Sequence, residues 1–141
     1  MAPAGSAARS GALCEPSRDR RQRLGERGEA AAVVALERAG LTILDRRYRR
    51  RIGEIDIVAR LGSLLVFVEV KTRAGTGYGA PAAAVTPGKR RRMARVALDY
   101  MARRGWLERP VRFDVVEVEV RNGRIVGIRH IVDAFRLWPT G

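Results

Sequence analysis

Four residues of the chain combine a type and a spacing that suit hydrolytic chemistry: Glu29, Asp56, Glu69 and Lys71. Along an extended segment, side chains alternate between two faces. Within residues 64–71, Leu65, Phe67, Glu69 and Lys71 share one face, and Leu64, Val66, Val68 and Val70 share the other. A carboxylate and an ammonium group therefore project side by side, about 7 Å apart by the rise of a strand. The run Leu64-Leu65-Val66-Phe67-Val68 is apolar without alternation, which predicts a central strand covered on both faces. Charges at the end of such a strand are costly to bury without partners. A metal ion with bound phosphate would supply them.

The preceding segment carries a matching feature. Ile55, Ile57 and Ala59 read as its apolar face, with Glu54, Asp56 and Val58 opposite. If the two segments form a hairpin, Asp56 comes close to Glu69, and two carboxylates near a lysine form a hard-oxygen site suited to Mg²⁺ or Mn²⁺. The same three residues also fit an Asp and a Glu on a solvated sheet face, with Lys71 as their salt-bridge partner. Glu29 shares a helical face with Ala32, Val33 and Leu36, an apolar stripe that turns its carboxylate inward or along the edge of the core. Taken alone, it better fits a helix-boundary glutamate paired with a nearby arginine.

The elements that must position these residues follow from pattern and punctuation. Residues 18–39 read as a helix, with Leu24, Gly28, Ala31, Ala32, Ala35 and Ala39 at helical spacing and Gly40 as its stop. Residues 42–49, 54–60 and 64–71 read as three strands, the second entered through Gly53 and the third after a Gly62-Ser63 turn. Residues 72–86 read as a loop with Gly75, Gly77, Gly79 and Pro81. A second helix is expected from Thr86-Pro87 to about Arg104, ended by Gly105. Residues 111–120 read as a fourth strand, and Asn122-Gly123 turns the chain into a fifth at 124–132. The expected fold is α/β, a mixed central sheet flanked by helices in the order α-β-β-β-α-β-β. Residues 1–17, rich in Ala, Gly, Ser and Pro, read as a disordered tail before a single domain over 18–141.

The charge balance narrows the partner. Lys and Arg number 28 against 15 Asp and Glu, a formal net charge of +13. Such an excess points to a polyanion, most simply nucleic acid, because each neutralised phosphate releases condensed counterions. Cys14 is the only cysteine and His130 the only histidine. An intrachain disulfide and a cysteine-based zinc site are thereby excluded, and mechanisms needing several imidazoles are disfavoured. No run approaches 18 apolar residues, and the N-terminus has no apolar signal core, so a cytoplasmic location away from membranes is expected.

Gly28-Glu29 in the first helix, Gly53-Glu54-Ile55-Asp56, and Val68-Glu69-Val70-Lys71-Thr72-Arg73, with Gly79-Ala80-Pro81 and Arg112-Phe113-Asp114-Val115 further on, give the chain a pattern that resembles the YraN family of bacterial proteins. That family is similar to the restriction-endonuclease-like PD-(D/E)xK superfamily and to archaeal Holliday-junction resolvases. The resemblance runs from about residue 22 to residue 120. It implies a restriction-endonuclease-like fold and a divalent-metal-dependent endonuclease of DNA, on branched or single-stranded forms. It further implies that Asp56 and Glu69 hold Mg²⁺ or Mn²⁺ with the backbone carbonyl of Val70. Lys71 would orient or activate the attacking water and stabilise developing charge, and Glu29 would complete the acidic cluster. Ile55 stands where the superfamily often has proline before the motif aspartate.

Two basic runs flank the acidic residues in sequence: Arg46, Arg47, Arg49, Arg50 and Arg51, and Lys89, Arg90, Arg91, Arg92 and Arg95. With Arg73 beside the motif lysine, they read as phosphate-tracking residues, and the resemblance implies DNA rather than RNA as the partner. Tyr48 and Tyr78 read as core or loop anchors, His130 as structural, and Glu117 and Glu119 as an exposed edge. Asp114 either neighbours the site or pairs with an arginine. Cleavage of a junction would call for a symmetric homodimer. Two other readings compete: a non-catalytic basic nucleic-acid-binding module, and an adaptor whose basic excess reflects genome composition.

Overall fold

The computed structural model describes residues 16–74 and 85–136. Helix α1 (Pro16–Arg38) leads into a meander of β1 (Thr42–Arg50), β2 (Gly53–Leu61) and β3 (Leu64–Ala74). Helix α2 (Pro87–Arg104) follows, then the hairpin of β4 (Val111–Arg121) and β5 (Arg124–Phe135). The five strands lie in the order β1-β2-β3-β4-β5. β3 and β4 pair in parallel and every other neighbour pair is antiparallel. The α/β class and the order α-β-β-β-α-β-β agree with the sequence. The tail (1–15), most of the glycine loop (75–84), Cys14 and Tyr78 lie outside the described residues.

Parallel pairing requires a crossover, and the sequence around α2 builds one. Thr86 caps the helix, its hydroxyl accepting from the Lys89 N–H at 3.3 Å, Pro87 opens it, and Gly105 closes it at φ 70°. β3 is central as expected and packs on both faces. Leu65 and Phe67 join Met93, Val96, Ala97 and Tyr100 beneath α2, while Val66 and Val68 join Ala32 and Leu36 beneath α1. Each such side chain, removed fully from water, contributes roughly 1.5–3 kcal/mol.

Two expectations are corrected. Ile55 and Ile57 do not share a core: Ile55 packs on the α2 side and Ile57 on the α1 side. The alternation breaks at Asp56, where the β2–β3 ladder has ended at Ile57↔Val68. Opposite Asp56 on β1, Arg47 lies between the register pairs Arg46↔Ile57 and Tyr48↔Ile55 and takes φ 54°, a left-handed conformation uncommon for a residue with a side chain. Both strands therefore change face at one step. Tyr48 lands on the α2 side, edge-on to Tyr100 at 4.9 Å, with its hydroxyl donating to Asp99 at 2.6 Å. It is an anchor, as expected.

The second correction concerns Glu117 and Glu119, which are buried rather than exposed. β4 is covered along nearly its whole length because it is an interior strand, with Glu117 in register with Lys71 and Arg129 and Glu119 with Arg73 and Gly127. Glu117 is held between the guanidinium groups of Arg73 and Arg129, which answers the charge that a buried carboxylate brings.

Candidate active site

The face change frees Asp56 from the sheet. Where β2 parts from β3, its Oδ2 accepts the main-chain N–H of Val70 at 2.8 Å. This one bond fixes the aspartate against the end of β3. It also brings Asp56 beside Glu69, which is buried. Burial, and then the charge of Glu69, push Asp56 up to about 7 from 3.8, against the lowering effect of the Val70 N–H. Two carboxylates thus share a partly dry corner with too little positive charge between them. In a strand, the N–H and C=O of one residue leave by the same edge, so the Val70 carbonyl faces this corner as well.

Asp56 and Glu54 line two cavities. The larger, about 550 Å³, lies toward α1 and is bordered by Glu29, Arg47, Arg49, Val70 and Thr72. The smaller, about 170 Å³, lies toward α2 and is bordered by Gly53, Glu69, Lys89 and Arg92. Lys89 is ion-paired with Glu69. Sequence reasoning placed Lys89 and Arg92 among phosphate contacts and left Glu54 without a role at the site. The signal for Lys89 was its third position after the Thr86 cap, which aims the first turn of α2 at the end of β3.

Glu29 reaches the larger cavity because of the residue before it. A Cβ built on Gly28 would collide with the Thr72 hydroxyl, so only glycine lets α1 lie this close to β3. The Glu29 carboxylate accepts from Arg46 Nε at 3.1 Å and from Arg47 Nε at 3.2 Å. Consecutive residues of a regular strand point to opposite faces. Two neighbouring arginines meet one carboxylate here because Arg47 is left-handed. Glu29 therefore shares a cavity with Asp56 and is neutralised from the β1 side.

Lys71 follows Glu69 on the same face of β3, in register with Glu117 of β4, and forms no ion pair among the described residues. Arg73 pairs with Glu117 at 3.1 Å. Of the expected basic residues, Arg49 borders the larger cavity and pairs with Glu54 at 3.0 Å, while Arg50 pairs with Asp99 at 3.2 Å. Arg51 and Arg91 are exposed. Arg90 bonds the Val85 carbonyl and lies over the Phe135 ring, 5.2 Å from its centroid.

Asp114 stands apart from this site. It is fully buried and bound by Arg112 at 2.8 and 2.9 Å, by His130 Nε2 at 2.7 Å and by the Asp133 N–H at 2.9 Å. Burial raises it, but the bonds from His130, Arg112 and Asp133 together hold it below the usual carboxylate range. Asp114 and His130 are structural.

An α/β domain whose central strand ends in a partly buried carboxylate pair, one member ion-paired with a lysine and the other held by a main-chain N–H, is the class that fold and geometry define. Residues 28–118 match the model of the uncharacterised protein family UPF0102, and the chain belongs to that family, the YraN family. It is 49% identical over 114 residues to UPF0102 protein GSU0650 of Geobacter sulfurreducens, covering 81% of this chain and 89% of the relative. It is 51% identical over 114 residues to UPF0102 protein STH1475 of Symbiobacterium thermophilum, covering 81% and 97%. It is 47% identical over 112 residues to UPF0102 protein RHA1_ro06551 of Rhodococcus jostii, covering 79% and 95%. Among the described residues, no helix is long and apolar enough to cross a membrane.

Proposed function

We propose that the chain is a divalent-metal-dependent phosphodiesterase that cuts DNA, acting on branched or single-stranded forms. The observation that carries this reading is the Asp56–Glu69 pair, in which burial, and then the charge of Glu69, raise Asp56 to about 7. A site that strains to hold two negative charges favours a cation. The donors present are hard oxygens: two carboxylates and the Val70 carbonyl. Among the described residues no three His, Cys, Asp or Glu side chains cluster as a metal site. Two carboxylates suit Mg²⁺ or Mn²⁺, since Mg²⁺ takes one or two carboxylates and keeps several waters. Such an ion, when bound, lowers the pKa of its water and steadies developing negative charge.

The remaining roles belong to the chain. Asp56 and Glu69 hold the ion, with Asp56 kept in place by the Val70 N–H. Lys71, on the face of Glu69, supplies donors to the reacting phosphate and orients the attacking water. Glu29 anchors Arg46 and Arg47 beside the larger cavity. Arg47 and Arg49 at its rim hold neighbouring phosphates. A non-catalytic binding module is the competing reading, and one observation favours it: the Lys89 ammonium already neutralises Glu69.

A panel of labelled duplex, single-stranded, flap and four-way-junction DNAs separates the two. Wild-type and Asp56→Asn proteins are compared with Mg²⁺, with Mn²⁺ and with EDTA. The expected result is metal-dependent cutting, reduced about 10³-fold or more in the variant, as for loss of a charge-stabilising group. Equal, salt-sensitive binding by both proteins with no cutting gives the binding module instead.

A further inference from the structure

A third cavity lies on the far side of α1 from the carboxylate pair. Its volume is about 540 Å³, and its walls are Arg20, Arg21, Arg23, Leu24 and Arg27 of α1 with Ala74, Val120 and the Asn122-Gly123 turn. It is not a separate feature. Arg21, Leu24 and Ala74 also line the cavity that holds Glu29 and Asp56. That cavity in turn shares Glu54 and Asp56 with the one beside Lys89 and Arg92. Three concavities therefore join end to end, from the start of α2, past the acid pair, to the β4–β5 turn.

Cations stand at both ends of this path, and its middle is mixed. Lys89 and Arg92 stand at one end, beside Glu69, and Arg20, Arg23 and Arg27 at the other. Between them Glu29 is paired with Arg47 and Glu54 with Arg49, while Asp56 forms no ion pair among the described residues. Arg20, Arg23 and Arg27 follow a spacing of three and four, so they project from one helical face. Arg27 is fixed, its Nη1 donating to the Gly123 carbonyl at 2.8 Å. Among the described residues Arg23 pairs only with the exposed Asp19 of its own helix, at 2.9 Å, an interaction worth little in water and readily exchanged for a phosphate. Leu24, Ala74 and Val120 give the same cavity an apolar floor.

We propose that this third cavity is a binding site for the single-stranded arm of a branched nucleic acid, whose scissile phosphate lies at Asp56 and Glu69. The proposal rests on the phosphodiesterase reading for the position of the cut, and on the arginine-lined path for the arm. Cavities of a few hundred cubic ångströms enclose a drug-sized ligand, the scale of a nucleotide. A duplex, whose major groove alone is about 12 Å wide, does not enter one. Arginine beside apolar surface suits a strand with separated bases, taking phosphates with its donors and bases with its plane. Arg20 and Arg23 determine which DNA is held and take no part in the chemistry.

The test is binding without turnover. Fluorescence anisotropy in EDTA compares a blunt duplex with the same duplex carrying a single-stranded arm, for wild-type protein and for Arg20→Ala/Arg23→Ala. Both DNAs meet the same loss of two charges, so the difference between them isolates the path. The expected result is about a tenfold or greater loss of affinity for the armed duplex and less than about threefold for the blunt one. The salt slope for the armed DNA falls by about 1.4, from two single-strand phosphate contacts. Equal losses on the two DNAs, or no loss on either, overturn the proposal. Its failure is distinguishable from failure of the nuclease reading. Arm-selective binding by a protein that cuts nothing keeps this site and removes the other reading. Cutting that is indifferent to the arm does the reverse.

Discussion

Asp56 and Asp114 are aspartates on one sheet, both withdrawn from solvent, and their surroundings drive them in opposite directions. Asp114 is met by a bidentate arginine, a histidine and a main-chain N–H, and it is held below the ordinary carboxylate range. Asp56 is met by one main-chain N–H and a second carboxylate, and it is pushed up to about 7. Burial alone does not distinguish a structural acid from a reactive one. What distinguishes them is whether the fold completes the charge. At Asp114 the chain has completed it, and the side chain pins β4 to β5. At Asp56 the fold has not completed it.

The comparison can be broken from either side, and the largest effect is expected at Asp114. Asp114→Ala leaves Arg112 and His130 facing a gap, and removal of one partner from a buried ion pair costs about 3–5 kcal/mol. Urea unfolding at neutral pH measures this. A loss under about 1 kcal/mol means that the cluster contributes little and the contrast with Asp56 is empty.

Asp56→Asn should act in the other direction. Asp56 binds its proton more tightly folded than unfolded, so its contribution to stability is fully present below 3.8 and is lost as pH rises through about 7. At pH 8 the asparagine removes a buried repulsion while its oxygen still accepts from Val70. The variant is expected to be more stable than wild type by on the order of 2 kcal/mol at pH 8 and unchanged at pH 4. Paired urea melts at the two pH values read this out. Destabilisation at pH 8 would place Asp56 in the same category as Asp114.

The smallest effect concerns the helix that carries Glu29 to the open pair. Gly→Ala within a helix ordinarily stabilises by up to about 1 kcal/mol. Gly25, where an added methyl would meet nothing within 4 Å, should behave so. Gly28→Ala should instead destabilise by roughly 1 kcal/mol or more, because the methyl meets Thr72. Thermal melts of the two variants side by side settle whether this close approach is built into the site.

Much of this was legible in the sequence, and the reasons differ by residue. The second helix could be bounded at Thr86-Pro87 and Gly105 because capping is local chemistry. The central position of β3 followed from an apolar run without alternation. The meeting of Asp56 with Glu69 followed from a hairpin with a short turn. What escaped was set by non-local geometry. Period-two reading put Ile55 and Ile57 together, and a single left-handed residue on the neighbouring strand separates them. Glu117 read as exposed because its partners Arg73 and Arg129 come from two other strands. Lys89 was recognised as a basic residue, but its approach to Glu69 depends on the crossover that lays α2 across the sheet. Glu29, Asp56, Glu69 and Lys71 were each singled out by type and spacing, whereas the Gly28–Thr72 contact that seats the first of them is non-local.

β1 ends the sheet on one side, and its exposed edge offers free main-chain groups to any other strand. Such edges invite chains to add to one another unless charge or irregular backbone discourages it. Arg46, Arg47, Arg49 and Arg50 occupy this strand, with Arg47 left-handed among them. Two of these arginines, Arg47 and Arg49, also border the cleft, so the charge that discourages one molecule's sheet from extending into the next is partly the charge of the cavity rim. Removing all four would leave a sticky border, and loss of solubility in such a variant would report on that border rather than on the cavity.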